Sequence, residues 1–162
     1  MDRKNYTEIV ERYSNNLYKI AISYCKNRYD AEDILQTVFV KLLQADEGFE
    51  SDEHLKRWLI RVTVNCCKDF CSSFWKRRTM GMDEARNEGE WNFPTSEQST
   101  LYEQVMRLPQ KYRLVIHLYY YEEYTVKEIA EILGIKETTV QTQLMRGRKK
   151  LESELKEAQY EW

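Results

Sequence analysis

TVKEIAEILGIKETTVQTQLMRGRKKL, residues 125–151, decides how this chain is read: a short helix, a glycine turn and a second helix whose outer face is basic and hydroxylated. Thr125 and Glu128 have the Thr-x-x-Glu spacing of a capping box, in which two side chains satisfy free N–H groups at a helix start. Ile129, Ala130, Ile132 and Leu133 supply a short apolar face, and Gly134 supplies the left-handed residue that ends it. Ile135 plugs the corner, and small Ala130 leaves room for the next helix. Val140, Leu144, Leu151 and Leu155, spaced four, seven and four residues apart, predict the buried stripe of that helix. Outward remain Lys136, Glu137, Thr138, Gln141, Thr142 and Met145, followed by Arg146, Arg148, Lys149 and Lys150. In a helix-turn-helix the first turns of the second helix meet base edges, while flanking cations hold phosphates. Periodicity alone also allows an amphipathic hairpin with a solvated basic face. The joint spacing of Ala130, Gly134, Ile135 and Val140 favours the DNA-reading arrangement.

Working outward, the 162 residues suit either one domain or two small helical ones. Five Gly, two Pro and no run of alternating apolar residues predict an all-α fold. Residues 5 to 27 carry Ile9, Val10, Tyr13, Leu17, Ile20, Ala21 and Tyr24 at helical spacing. A turn at Asn27, Arg28 and Tyr29 follows, and Asp30 can cap a second helix with apolar face Ala31, Ile34, Leu35, Val38, Phe39, Leu42 and Leu43, stopped at Gly48. Ser51, Asp52 and Glu53 start a third helix that runs to about Arg77. Beyond it, Ser96 caps a helix carrying Leu101, Val105 and Leu108. Pro109 begins the next, which buries Tyr112, Val115, Ile116 and Tyr119. The expected organisation is a three-helix domain over residues 1–78, an acidic linker over 79–95 and a four-helix domain over 96–162.

A net charge of -2 conceals a segregated pattern: residues 56 to 78 hold seven Lys/Arg against one acid, and residues 79 to 104 hold one Arg against six acids. No apolar stretch approaches the roughly 20 residues of a membrane span, and the N-terminus lacks the apolar core of a signal peptide, so a cytoplasmic protein without membrane insertion is expected. Cys25, Cys66, Cys67 and Cys71 are then expected as thiols. Cys67 and Cys71 lie one helical turn apart with His54 nearby. No Cys-x-x-Cys pair or second histidine accompanies them, so neither metal nor cofactor is expected. His54 and His117 have no nucleophile or phosphate loop beside them, so no catalytic residues are expected either; His117, amid Ile116, Leu118 and Tyr119, reads as packing.

The third helix places Leu55, Leu59, Val62 and Cys66 on one face and Arg61, Asn65, Lys68 and Ser72 on a neighbouring one, with Phe70, Phe74 and Trp75 among Lys68, Lys76, Arg77 and Arg78. Positive charge tracks phosphates, rings stack on bases and an amide bonds a base edge, which suits single-stranded or opened DNA. Packing explains most of those aromatics equally well, and Trp58 reads as core.

Taken together, these residues resemble the extracytoplasmic-function group of the sigma-70 family of RNA polymerase sigma factors, over almost the whole chain. Asp30-Ala-Glu-Asp-Ile-Leu-Gln36 with Val38-Phe39 looks like the family's region 2.2, and Trp58-Leu-Ile-Arg61-Val-Thr-Val-Asn65 like its region 2.3 to 2.4. Leu108-Pro109 through Arg113, Glu128-Ile-Ala130 and Thr139-Val140 through Leu151 resemble region 4. The resemblance implies a first domain that holds core polymerase and the −10 promoter element, and a second that reads the −35 element. It makes Asp30, Asp33 and Gln36 candidates for docking on the clamp coiled coil of the largest subunit, with the flap as a further polymerase contact. It makes Arg61, Asn65 and Lys68 candidates for −10 contact, with the loop from Phe49 to Leu55 as the pocket for a flipped-out base. Lys136, Glu137, Thr138, Gln141, Thr142, Met145, Arg146, Arg148 and Lys149 become the −35 candidates. A cognate anti-sigma protein is also implied. Linker residues Asp83, Glu84, Glu88 and Glu90 would fit a basic polymerase channel or a solvated tether. Thr37, Gln143 and Lys136 depart from the usual family residues, which bears on clamp docking and promoter affinity. The rival is a stand-alone helix-turn-helix regulator whose N-terminal half dimerises or senses.

Overall fold

The computed structural model describes residues 2–45, 48–79 and 96–160, with side chains described for 2–45, 48–71 and 101–157. Among the described residues every regular element is helical. The chain divides into two compact units, Met1–Glu90 and Trp91–Trp162.

The first unit packs α1 (Arg3–Cys25), α2 (Arg28–Gln44) and α3 (Asp52–Thr79) mutually. Asp2 caps α1, accepting from the Asn5 N–H at 2.8 Å, and the helix ends at left-handed Lys26, φ 58°. The cap of α2 is Asn27 rather than Asp30: its side chain accepts from the Asp30 N–H at 3.1 Å. Asn and Asp are equally good caps, so the first of the two in the chain takes the role. Asp30 becomes the third helical residue, where its carboxylate still faces the positive helix end. The helix stops at Ala45, before Gly48. Its face of Ala31, Ile34, Val38, Phe39 and Leu42 is buried, but Leu43 is 53% exposed because it lies about 100° round the helix from Leu42.

Ser51 starts α3, its hydroxyl accepting from the His54 N–H at 3.1 Å. Packing against both α1 and α2 gives α3 a broad buried face of Leu55, Leu59, Ile60, Thr63, Val64, Cys66 and Cys67. Val62, expected on that face, is only half-buried. Thr63 is accommodated by donating to the Leu59 carbonyl at 2.7 Å. Trp58 is not core. It is half-buried, with the Phe49 ring edge-on 5.4 Å away.

The second unit comprises α4 (Ser96–Arg107), α5 (Gln110–Ile116), a π-helical turn (His117–Tyr121), α6 (Val126–Leu133) and α7 (Glu137–Tyr160). α4 buries Gln104 and Met106, and Leu101, expected inside, is exposed. At the α4–α5 corner Pro109 has no N–H to give, and buried Arg113 stands in: its Nη1 donates to the carbonyls of Met106 at 3.3 Å and Leu108 at 2.9 Å. A cation there also faces the negative end of α4. His117 is buried against Tyr121, rings stacked 5.1 Å apart at 16°. The single helix expected through Tyr119 widens at His117, where the Glu122 N–H reaches back five residues to the His117 carbonyl at 3.2 Å.

α7 crosses α5 at Gly147. A Cβ there would stand 2.7 Å from Ile116 Cδ1 and 3.2 Å from Tyr112 Cβ. Val140 and Leu144 are buried on the same side of α7, whereas Leu151 and Leu155 are half-buried. At 3.6 residues per turn Leu155 has drifted about 60° round the helix from Val140.

Candidate nucleic-acid interface

The turn between α6 and α7 is built from local chemistry. Both halves of the capping box are made, with the Glu128 N–H on Thr125 Oγ1 at 3.2 Å and the Thr125 N–H on Glu128 Oε1 at 3.1 Å. Gly134 is left-handed, φ 67° and ψ 36°, and the Ile135 N–H closes the end of α6 on the Ala130 carbonyl at 3.1 Å. The Lys136 carbonyl then accepts from Thr139 and Val140, starting α7. Because Val140 and Leu144 are pinned in the core, the orientation of the opposite face is fixed.

That face carries the expected residues. Lys136, Glu137, Thr138, Gln141, Met145, Arg146, Arg148, Lys149 and Lys150 are all exposed. Met145, 51% exposed, puts an apolar side chain among polar ones, as a thymine methyl would accept. Thr142 is half-buried, and its hydroxyl donates to the Thr138 carbonyl of its own helix at 2.9 Å. Arg148 does not project freely: its Nε donates to the Tyr120 hydroxyl at 2.6 Å. Sequence reading did not connect these two residues, and the only local trace was the run of tyrosines at 119–121.

In the first unit, Arg61, Asn65 and Lys68 follow one another at spacings of four and three on α3, all exposed, about 100° round the helix from buried Ile60, Val64 and Cys67. The loop before α3 is folded down on it: the Glu50 N–H donates to His54 Nδ1 at 3.1 Å, and Phe49 stands edge-on to His54 at 5.5 Å. An open groove beside this loop is lined by Glu8, Arg12, Tyr13, Phe49, Asp52 and Leu55. On α2, Asp33 and Gln36 are exposed on a face continued by Val40, 50% exposed. Asp30 is only 6% exposed and is not on that surface.

Cys25, Cys66, Cys67 and Cys71 are free thiols. Cys25 is held well above the usual thiol range, first by its hydrogen bond with Cys67, the contact with Cys71 opposing and burial adding. Burial likewise raises Cys66, against the neighbouring Lys41 ammonium. Among the described residues no group of three or more His, Cys, Asp or Glu is arranged to hold a metal ion. Phe74, Trp75, Lys76, Arg77, Arg78 and the acidic residues of the linker lie outside the described side chains. No described helix is long and apolar enough to cross a membrane.

A helix-turn-helix in one unit and, in the other, a helix exposing Arg61, Asn65 and Lys68 suit a DNA-binding protein of transcription. Residues 9–78 match the family model for Sigma-70 region 2, and residues 98–151 that for Sigma-70, region 4. The chain is 31% identical over 143 residues to the RNA polymerase sigma factor SigV of Bacillus subtilis (strain 168), covering 88% of this chain and 86% of that one. It is 28% identical over 171 residues to the ECF RNA polymerase sigma factor SigW of the same organism, covering 96% and 91%. In fold it is similar to the sigma factor RpoE in its co-crystal structure with the anti-sigma factor NepR from Bartonella quintana, with TM-score 0.76, 23% identity and coverage of 94% and 98%. It is also similar to CnrH in complex with the cytosolic domain of CnrY, with TM-score 0.66, 24% identity and coverage of 96% and 90%. The chain belongs to the extracytoplasmic-function subfamily of the sigma-70 RNA polymerase sigma factors. It directs transcription initiation with RNA polymerase at promoter DNA and is not an enzyme. The stand-alone regulator falls with this assignment, since region 2 has no part in such a protein.

Proposed function

We propose that this sigma factor reads its promoter through two separate surfaces and meets polymerase through a third. The exposed face of α7, centred on Thr138, Gln141, Thr142 and Met145, enters the major groove of the −35 duplex, with Lys136 and Glu137 at its mouth and Arg146, Arg148 and Lys149 along the phosphates. On α3, Arg61 and Lys68 track the opened −10 strand while the Asn65 amide bonds a base displaced toward the Phe49–Leu55 loop. The exposed α2 face of Asp33, Gln36 and Val40 docks on the clamp coiled coil. Asp30 supports that helix from inside. The second unit meets the flap. Residues 1–78 thus act as region 2 and residues 96–162 as region 4, joined by the acidic linker at 79–95. An anti-sigma protein is the further partner, a reading supported by the fold's likeness to RpoE, which was crystallised with one. The protein works in the cytoplasm.

The observation that carries this reading is the pinning of α7. Gly134, Val140 and Leu144 hold one side of the helix, so the base-reading side chains are presented in one fixed orientation before DNA arrives. The test is run-off transcription from genomic fragments with purified core polymerase, with and without the protein. Transcripts that appear only on its addition, from start sites sharing two spaced elements, are expected. Factor-dependent transcripts without a shared upstream element would overturn the duplex reading by α7.

A further inference from the structure

Arg148 is held from outside its own helix. Its Nε donates to the Tyr120 hydroxyl at 2.6 Å across 28 residues of sequence. Its Cζ lies 5.3 Å from the centroid of the Tyr119 ring and 5.5 Å from that of Tyr120, and the two rings meet edge-on at 4.9 Å and 75°. The rings come from the π-helical turn, which buries His117 and Leu118 and leaves Tyr120 53% exposed. A guanidinium has five N–H donors in a planar fork. Spending Nε–H on Tyr120 leaves both Nη groups, the edge that grips an anion with two parallel bonds. Among the described residues no carboxylate pairs with Arg148, although the chain holds 27 Asp and Glu.

Position says which anion. Arg148 lies seven residues beyond Gln141, almost directly above it on the helix and about 10 Å along the axis. A major groove is about 12 Å wide, so a residue two turns past the base-reading turn stands at the sugar–phosphate rim. The Tyr120 hydroxyl accepts from Arg148 Nε and so fixes which edge of the guanidinium faces that rim.

We propose that Tyr120 is a positioning residue that holds Arg148 as a preformed clamp for one backbone phosphate flanking the −35 duplex, an inference that rests on the docking of α7 given above. A free arginine must surrender rotamer freedom on binding, and an arginine already fixed between a hydroxyl and two rings surrenders less. The clamp reads no base. It sets the register in which Gln141 and its neighbours do.

The test uses holoenzyme and the labelled promoter duplex recovered from the run-off assay, with binding measured over a series of salt concentrations. Tyr120→Phe, which keeps the ring and removes the hydroxyl, is expected to weaken binding about fivefold. Arg148→Ala is expected to weaken it at least as much and to reduce the log–log salt slope by about 0.9, the signature of one lost phosphate contact. The double variant is expected to bind no worse than Arg148→Ala alone, because Tyr120 acts through the arginine. Losses that simply add, or a Tyr120→Phe protein that binds like the parent, overturn the inference. So does a lowered melting temperature in Tyr120→Phe together with normal binding by Arg148→Ala, which makes the contact structural. Gln141→Ala and Lys150→Ala separate this failure from that of the docking itself. If they weaken binding while the Tyr120 and Arg148 variants do not, only the clamp is wrong; if none of the four changes binding, α7 is not the reading helix.

Discussion

Replacing Gly147 by alanine tests whether the reading helix is placed by its close approach to α5. Two effects oppose each other. Alanine is the better helix former by about 1 kcal/mol, which alone would stabilise α7. Against this, the new methyl would stand 2.7 Å from Ile116 Cδ1 and 3.2 Å from Tyr112 Cβ, where carbon atoms in contact sit at about 3.5–4.0 Å. Ile116 Cδ1 is the far end of a side chain and could turn away, but Ile116 is buried and has little free volume to turn into. Tyr112 Cβ is fixed to the α5 backbone, so the helices themselves must part by a few tenths of an ångström. Overpacking of this kind costs about 1–3 kcal/mol. Gly147→Ala is therefore expected to destabilise the second unit by about 1 kcal/mol net, clash less propensity. Urea titration followed by far-UV circular dichroism gives the magnitude, and hydrogen exchange at α5 and α7 amides assigns it to that unit. Gly48→Ala is the control: nothing lies within 4 Å of a Cβ there, so stability should hold or rise slightly. A Gly147→Ala protein more stable than the parent would refute the reasoning, since propensity alone would then describe the site.

Asn65→Ala should suppress promoter melting while leaving polymerase binding intact, read by permanganate footprinting beside a pull-down with core enzyme; normal melting returns Asn65 to the surface without a role. Gln141→Ala should change the preferred −35 sequence by about 1–3 kcal/mol at one position, whereas Lys149→Ala should weaken all promoters alike and lower the salt dependence. A promoter-library selection with holoenzyme separates them, and a changed preference in the lysine variant means the helix is docked in another register. Arg113→Met should cost the second unit about 3 kcal/mol, because two charge-assisted bonds to the end of α4 are lost and the Met106 and Leu108 carbonyls lose those donors; a urea midpoint within error of the parent would contradict it. Cys25 gives a pH dependence. Its folded thiol ionises later than the unfolded one, so stability is complete below about pH 8.5 and falls above it by up to about 1.4 kcal/mol per pH unit. Melts under reductant from neutral to alkaline pH should show the fall, and Cys25→Ser should flatten it; a Cys25→Ser curve as steep as the parent's excludes this thiol as the cause.

What was legible in the sequence was what is local. Thr125, Glu128 and Gly134 specify their turn through bonds that span three to five residues, so the helix-turn-helix could be read from a short stretch and was found where expected. Apolar periodicity placed the helices and, by difference, the exposed faces carrying Arg61, Asn65 and Gln141. Errors arose where two local signals compete or where a partner lies far along the chain. Asn27 and Asp30 are both good caps, and only the observed bond shows that Asp30 is interior. Trp58 looks like core by size alone, yet it is only half-buried, and the Phe49 ring standing edge-on to it at 5.4 Å comes from a loop that its own helix does not announce. Gly147 in the middle of a helix says nothing until the helix that crosses it is known. Nor does a run of tyrosines reveal that one of them holds an arginine 28 residues away.

The same distinction explains how a chain with net charge -2 can bind a polyanion. Averaged over the molecule, electrostatics slightly oppose DNA, so affinity must come from where cations are gathered rather than from their number. At an ionic strength near physiological the screening length is about 8 Å. Acids farther than this from the Arg146–Lys150 run hardly diminish it; of the acids on α7, Glu137 stands at the opposite end of the reading turns, and Glu152, just past the run, already pairs with Lys156 at 3.0 Å. On the docking proposed above, a contact patch of so few phosphates binds weakly alone, and the α3 patch needs a strand that is already open. Each becomes effective when polymerase fixes the two units on one promoter, because the second contact then forms at high effective concentration. Charge segregation along the sequence, helix pinning within each unit and dependence on polymerase are thus one physical arrangement: two weak, well-oriented readers whose joint occupancy selects the start site.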